Sequence, residues 1–255
     1  MENAHLIGLS RQVALTRELE AVANNIANLN TTGFKADGVI FAEYLQSSAR
    51  AEEFLPPDQQ LSFVEDRMAW HEMSQGPIQQ TGNPLDVAID GEGMLVVQTA
   101  DGERYTRNGA LQINNVGELV TSAGDRVLGD AGPIVLQPTD RDVVITKDGT
   151  INVREGTSLN SDSTRGKLRL VTFANIQLLQ KDGNSNFLAP AELVPEPVAN
   201  PHVVQGAVEK SNVRAMLEMS RLIQITRTYA EVANIIQQQT ELEQSAIQQL
   251  AEVPA

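Results

Sequence analysis

Residues 207–253, AVEKSNVRAMLEMSRLIQITRTYAEVANIIQQQTELEQSAIQQLAEV, contain neither glycine nor proline. A breaker-free run of 47 residues predicts one long helix, because Gly and Pro carry the large penalties in a helix interior. At about 1.5 Å per residue it extends roughly 60–70 Å, too long for the core of a 255-residue globule. Outward from this stretch the composition changes sharply. Sixteen of the 18 glycines and ten of the 11 prolines lie between residues 36 and 206. That middle holds 24 acids and 12 bases, whereas residues 1–35 hold three of each and residues 207–255 six acids and four bases. The ends read as near-neutral helices, and the middle as an acidic, turn-rich domain.

Within the middle, LDVAID (85–90), MLVVQT (94–99), LQIN (111–114), ELVTS (118–122), DVVIT (142–146), INVR (151–154) and KLRLVTF (167–173) are short and rich in β-branched residues. Such runs read as strands. Asp90-Gly91, Asp101-Gly102, Asn108-Gly109, Val116-Gly117, Asp148-Gly149 and Asp182-Gly183 separate them, and Asp-Gly and Asn-Gly favour tight hairpin turns. The spacing suggests antiparallel meanders or a small barrel. AEYLQSSARAEEF (42–54) reads as a helix closed by Pro56-Pro57, since the residue before proline is pushed out of the α region. The fold class expected is α+β: long N- and C-terminal helices forming a coiled-coil-like layer, with a central, mainly antiparallel β domain. The expected divisions are an N-terminal axial helix at 1–35, a linker or extension at 36–75, a β-rich middle domain at 76–206 and a C-terminal axial helix at 207–255.

Each end carries an apolar seam. Leu15, Leu19, Val22, Ile26 and Leu29 are spaced 4, 3, 4, 3, and Leu222, Ile225, Tyr229, Val232 and Ile236 are spaced 3, 4, 3, 4. These are heptad spacings. One stripe per helix is satisfied by the chain's own core. The C-terminal helix has a second set off the seam, Met216, Met219, Ile223, Ala230, Ala233 and Ile235, and apolar residues on two faces call for two packing partners. A non-closing contact between copies builds a filament. Beyond Gln237 the helix is rich in neutral amides, a composition suited either to an exposed tail or to the wall of a wet cavity.

The net charge of −14 argues against a nucleic-acid binder, which needs a basic face, and against docking on anionic lipid. No apolar run is long enough to span a membrane, so no direct membrane insertion is expected. Glu2, Arg11, Arg17, Glu18 and Glu20 interrupt the first 20 residues, so no cleaved secretory signal peptide is expected, and a chain without one is cytosolic unless it leaves by a specialised route. Absence of cysteine rules out disulfides, zinc–thiolate sites and cysteine nucleophiles. His5, His71 and His202 show no metal-ligand spacing. The Gly91-Glu92-Gly93 turn lacks the rest of a dinucleotide fingerprint. Asp86 and Asp90 are a carboxylate pair of the kind that acidic middles produce by chance. Aromatics at 4% are few for a ligand-binding core. No catalytic residue, cofactor or metal site is expected.

Four blocks then carry a resemblance: ANNIANLNTTGFK (23–35), TGNPLDVAIDGEGMLVV (81–97), RYTRNGALQINNVGELVTS (104–122) and GAVEKSNVRAMLEMSRLIQITRTYAEVANII (206–236). In this order they resemble the bacterial flagellar axial proteins, the rod and hook family. Length and a single middle domain are similar to the rod members, and the opening MENAHLIGLSRQVALTRELEAVANNIANLNTTGFK is similar to the proximal-rod type, with the distal-rod type as alternative. Asn24, Asn25 and Asn28 place amides near a helix end. Gly33 suits a left-handed stop, with Phe34 folding back as an apolar anchor.

The resemblance implies a structural, non-enzymatic subunit of the basal-body rod that supports flagellum assembly and motility. It implies copies of itself and other proximal and distal rod proteins as partners, delivery by the flagellar type III export apparatus and a periplasmic location. The assembly interface implied comprises both seams with Asn25, Gly33 and Phe34. The C-terminal helix would lie innermost, with Gln238, Gln244 and Gln248 toward an export channel. From other classes, a coiled-coil adaptor and an enzyme on a helical stalk are the competing readings; the first would form a fixed oligomer, and the second lacks a catalytic constellation.

Overall fold

The computed structural model describes residues 2–47, 60–155 and 162–251. The chain divides into two compact units, Met1–Ala27 with Asp37–His71 and Arg214–Ala255, and Asn28–Ala36 with Glu72–Val213.

The first unit contains helix α1 (Glu2–Ala27), strands β1 (Asp37–Ser47) and β2 (Gln60–His71), and helix α2 (Ala215–Ala251). β1 and β2 form an antiparallel hairpin from Asp37↔His71 to Ser47↔Gln60, with one bulge between Ile40 and Phe41. A two-stranded ribbon alone is marginal in water, and this one packs against α1. The helices run antiparallel: Ile236 lies against Gly8, and Glu218 meets Asn25.

No coiled-coil layer forms, contrary to expectation. The described residues contain two α-helices, one near each end, and a large antiparallel sheet domain. Of the seams, only Leu15, Val22 and Ile225 are buried; Leu19, Ile26, Leu222 and Val232 pack partly against them. Tyr229 is exposed, and Leu29 lies beyond the end of α1. A coiled coil needs a and d side chains seated in holes turn after turn. Here α1 stops at Ala27 and is divided between two partners, α2 and the hairpin.

Two further expectations change. The C-terminal helix begins at Ala215, because Ala207–Glu209 pair as a strand with Ile78–Gln80. Freedom from breakers permits a helix, but a buried ladder partner overrides it. The helix expected at 42–54 is strand β1 as far as Ser47; residues 48–54 and Pro56-Pro57 lie outside the described residues.

The second unit is built of antiparallel β-strands, with one short 3-10 turn at Ile176–Leu178 among its described residues. Its strands are β3 (Ile78–Gln80), β4 (Val87–Ile89), β5 (Met94–Thr99), β6 (Gly102–Thr106), β7 (Leu111–Ile113), β8 (Leu119–Thr121), β9 (Arg126–Gly129), β10 (Gly132–Pro133), β11 (Asp140–Ile145), β12 (Thr150–Glu155), β13 (Asp162–Lys167), β14 (Leu170–Thr172), β15 (Gln180–Lys181), β16 (Asn186–Leu188), β17 (Glu196–Pro197), β18 (Val203–Gln205) and β19 (Ala207–Glu209). The main sheet runs β15-β16-β6-β5-β9-β8-β7, with β10 on β9, β14 on β5 and β17 on β14. β11-β12-β13 form a second sheet, and β4 and β3 pair with β18 and β19. Successive strand residues face opposite ways. In β5, Leu95 and Val97 enter one apolar cluster while Met94 and Val96 enter another. Burial on both faces explains why this strand is an unbroken apolar run.

Candidate assembly interface

In the first unit, the residues of the predicted seams turn inward except Tyr229, which is exposed. Ile225 is buried against Leu15 and Val22, and Ile236 is half-buried beside Gly8. Asn25, expected on a helix surface, is 1% exposed. Its Nδ2 donates to the Asp37 carbonyl at 2.8 Å and to Glu218 Oε2 at 3.3 Å, and its Oδ1 accepts from the Asp37 amide at 2.8 Å. The side chain thus imitates a strand partner for Asp37 and ties the base of the hairpin to the end of α1. At the hairpin's first pair, His71 Nδ1 lies 2.6 Å from Asp37 Oδ1.

With the seam turned inward, α2 presents another face to solvent. At about 100° per residue, Met216, Met219, Ile223, Arg227, Ala230, Asn234 and Glu241 fall on one side, and all are exposed. Met216 is 79% and Ile223 63% exposed. Leu217, Ile235 and Leu242 lie exposed on the adjoining flank, and α1 adds Leu9 and Val13. Gln238, Gln244 and Gln248 are exposed as well.

The remaining signature residues belong to the second unit. Gly33 adopts φ +68°, yet it lies six residues after the last helical residue, so it does not act as the helix stop. A Cβ there would sit 2.4 Å from the Asn108 amide nitrogen. Its own amide donates to the Glu209 carbonyl at 2.8 Å. Phe34 is buried with Lys181 Nζ 3.9 Å from its ring centroid, a cation–π contact. Leu29 is half-buried in the same segment.

Next to them stands a buried ionic cluster that sequence reasoning missed. Glu209 Oε1 accepts from Lys35 Nζ at 2.6 Å and from the Gly76 amide at 2.9 Å, and Oε2 accepts from Arg107 Nη1 at 3.1 Å. Lys35 also donates to the Ser74 carbonyl, and Arg107 to the carbonyls of Ile89 and Gly91. Burial pushes the Lys35 ammonium below its ordinary value, opposed by the Glu209 carboxylate. Asn212 completes the closure, accepting from the Ala36 amide and donating to the Glu72 and Ser74 carbonyls. The cluster draws on all four signature blocks. The available signal was the placing of Lys35 and Glu209 inside two of these blocks, where a charge sits among residues otherwise suited to burial.

No group of three His, Asp or Glu side chains is placed to share a metal ion among the described residues. No described helix is long and apolar enough to cross a membrane. A shallow groove of about 480 Å³ is lined by Pro84, Leu85, Ile113 and residues 140–144. Its carboxylates are already engaged: Asp140 by Arg165 and Asp142 by Arg154.

A chain that builds its end segments into one helix-and-hairpin unit, turns an apolar helix face to solvent and folds its middle as β-sheet is an assembly subunit. Comparison with known proteins agrees. Residues 6–35 match the family described as flagella basal body rod protein, residues 88–153 the flagellar hook protein FlgE/F/G D1 domain, and residues 204–249 the flagellar basal body rod FlgEFG protein C-terminal region. The chain is 37% identical over 254 residues to the flagellar basal-body rod protein FlgF of Caulobacter vibrioides, covering 99% of this chain and 100% of that one. It is 32% identical to FlgF of Mesorhizobium japonicum, with 98% of each chain covered. It is 34% identical to the rod protein FlgG of Agrobacterium fabrum over 86% of this chain and 88% of that one. The chain belongs to the flagellar basal-body rod protein family, as a structural rod subunit of the FlgF-like kind.

Proposed function

We propose that this chain is a subunit of the proximal rod that joins copies of itself and other rod proteins through the outward face of α2 and the exposed Leu9 and Val13 of α1. Family membership supports the setting, and the row Met216, Met219, Ile223 carries the assignment of the surface. Large exposed apolar side chains in a continuous row mark an interaction site. The inward seam then acts indirectly, by holding α2 so that this row points out. Delivery by the flagellar export apparatus, a periplasmic position in the driveshaft and the absence of catalysis follow the same family reading. The exposed amides Gln238, Gln244 and Gln248 suit a channel wall, since water satisfies them at every step without the burial energy of about 25 cal/mol per Å² that would hold a passing apolar chain.

The test is an Ile223→Asp chain expressed in a strain lacking the native copy. Residue 223 is exposed, so the fold should survive, while a carboxylate buried in the contact costs several kcal/mol. Loss of the protein from purified basal bodies, with loss of swimming, is expected. Normal incorporation would remove this face from the interface.

A further inference from the structure

At the shallow groove of the β unit, a bulge aims an arginine that has no partner. Strand β11 sets Arg141 opposite Arg154 and Val144 opposite Asn152, with the register shifting between them. Arg154 and Asn152 are two apart and share a face of β12. The extra residue therefore brings Arg141 and Val144, three apart, to one face as well. Within the bulge Asp142 takes φ +49°, a conformation that a residue with a side chain keeps only where its surroundings hold it. Arg154 holds it through an ion pair at 2.7 Å. Gln205 holds the other wall, donating to the carbonyls of Pro84 and Val143 and accepting from the Ile145 amide. Every other arginine of this unit is in an ion pair; Arg141 is exposed and forms none among the described residues. With Ile113 and Val144, also exposed, it makes a fixed apolar groove edged by an uncompensated cation, in a stretch (36–206) that holds 24 acids against 12 bases.

The same unit carries the complement. In Glu192-Leu193-Val194-Pro195-Glu196-Pro197, Val194 is 70% exposed and stands between two exposed glutamates that form no ion pair among the described residues. Pro195 and Pro197 have no backbone N–H to give, so this segment is poorly suited to extend a sheet and binds through its side chains. Leu193 anchors it against the apolar cluster on one face of β5, whereas Leu85 and Val143 of the groove pack against the cluster on the other face. Val194 is thereby held away from the groove of its own chain. Resting on the rod reading above, we infer that Val194 of one copy seats in the groove of a second copy, against Ile113 and Val144, with Arg141 drawn to the flanking Glu192 and Glu196. An arginine beside an apolar seat is the residue pattern of an interface anchor, and a lone cation in an acidic surface selects an acidic segment. Knob and groove are different surfaces, so the contact is heterologous and each copy offers both halves to its neighbours.

The chain has no cysteine, which makes cross-linking clean. Full-length Val144→Cys and Val194→Cys chains, produced together in one strain and oxidised in isolated basal bodies, should yield a covalent dimer, and either chain alone should yield none. A disulfide requires Cα atoms within about 7 Å, so the bond reports the seating directly. In parallel, Arg141→Glu should lower incorporation about tenfold, and adding Glu192→Arg and Glu196→Arg to the same chain should restore it to within about threefold, as expected of complementary charges across an interface. No dimer from the co-produced chains, or a triple variant as poor as Arg141→Glu alone, would overturn the contact. If the chain is present in basal bodies without the dimer, this contact fails and the rod reading stands. If the chain is missing from basal bodies, the rod reading fails, and oxidation of the same cysteine pair in concentrated purified chain decides the contact.

Discussion

Replacing Glu209 by Gln tests what closes the β unit. The carboxylate is fully buried, and its two oxygens serve Lys35, Arg107 and the Gly76 amide. Gln keeps the volume and one acceptor but leaves two buried cations without a counter-charge. Removing one partner of a buried ion pair costs about 3–5 kcal/mol. With a urea dependence of roughly 2 kcal/mol per M, the midpoint should fall by about 2 M. The readout is amide exchange at Val96 and Val97, which lie in the core of that unit and report its opening. Adding Lys35→Met to Glu209→Gln should recover part of the loss, because an unpaired ammonium is then no longer buried. The pH dependence carries a sign. Lys35 has a lowered pKa in the folded chain against 10.5 when free. Between those values the unfolded chain holds the extra proton, so this group adds stability as pH rises. Without Glu209, which opposes the lowering, the rise should begin at lower pH and be larger. A midpoint drop below about 0.5 M, or a double variant worse than Glu209→Gln alone, would refute the pairing as the closure.

Ile225→Asp should unfold the helix-and-hairpin unit by placing a carboxylate between Leu15 and Val22, at a cost of several kcal/mol, whereas Ile223→Asp should change stability by less than about 0.5 kcal/mol; emission of Trp70, the sole tryptophan and a member of that unit, should shift with the first and not the second. Asp148 is held down to about 2 by hydrogen bonds from the Thr146 and Thr150 hydroxyls, so its contribution is present above 3.8 and is lost as pH falls toward 2; stability measured against pH should therefore flatten across that window in Asp148→Asn.

The β segments were readable one strand at a time. Each of the seven apolar runs in the middle overlaps a strand, and Gly91, Gly102, Gly117, Gly149 and Gly183 take positive φ at the turns. Alternation and turn chemistry are local properties, so a single chain displays them. Asn108-Gly109 shows where local reasoning stops. Gly109 is not a positive-φ turn; a Cβ there would lie 1.7 Å from the Val87 carbonyl oxygen. It is glycine because another strand comes too close, and no local pattern announces that. The same limit hid the strand at Ala207–Glu209 and the meeting of Lys35 with Glu209. Both are pairings across more than a hundred residues, visible only once the strands are assembled.

The helix ends failed for a related reason. A heptad spacing states that one stripe of α2 will be covered, without stating by what. In the folded chain that stripe goes to α1, and the cover is brief because α1 also holds the hairpin. The informative residues were those left over. Met216, Met219 and Ile223 have no partner that a helix ending at Ala27 must supply, and they stay exposed. Burial of Ile225 fixes the rotation of α2, since residues two apart on a helix face directions about 200° apart. Ile225 turned inward therefore obliges Ile223 to turn outward. The face proposed for assembly is thus set by a contact inside the subunit: disturbing Ile225 should abolish both, whereas disturbing Ile223 should abolish assembly alone.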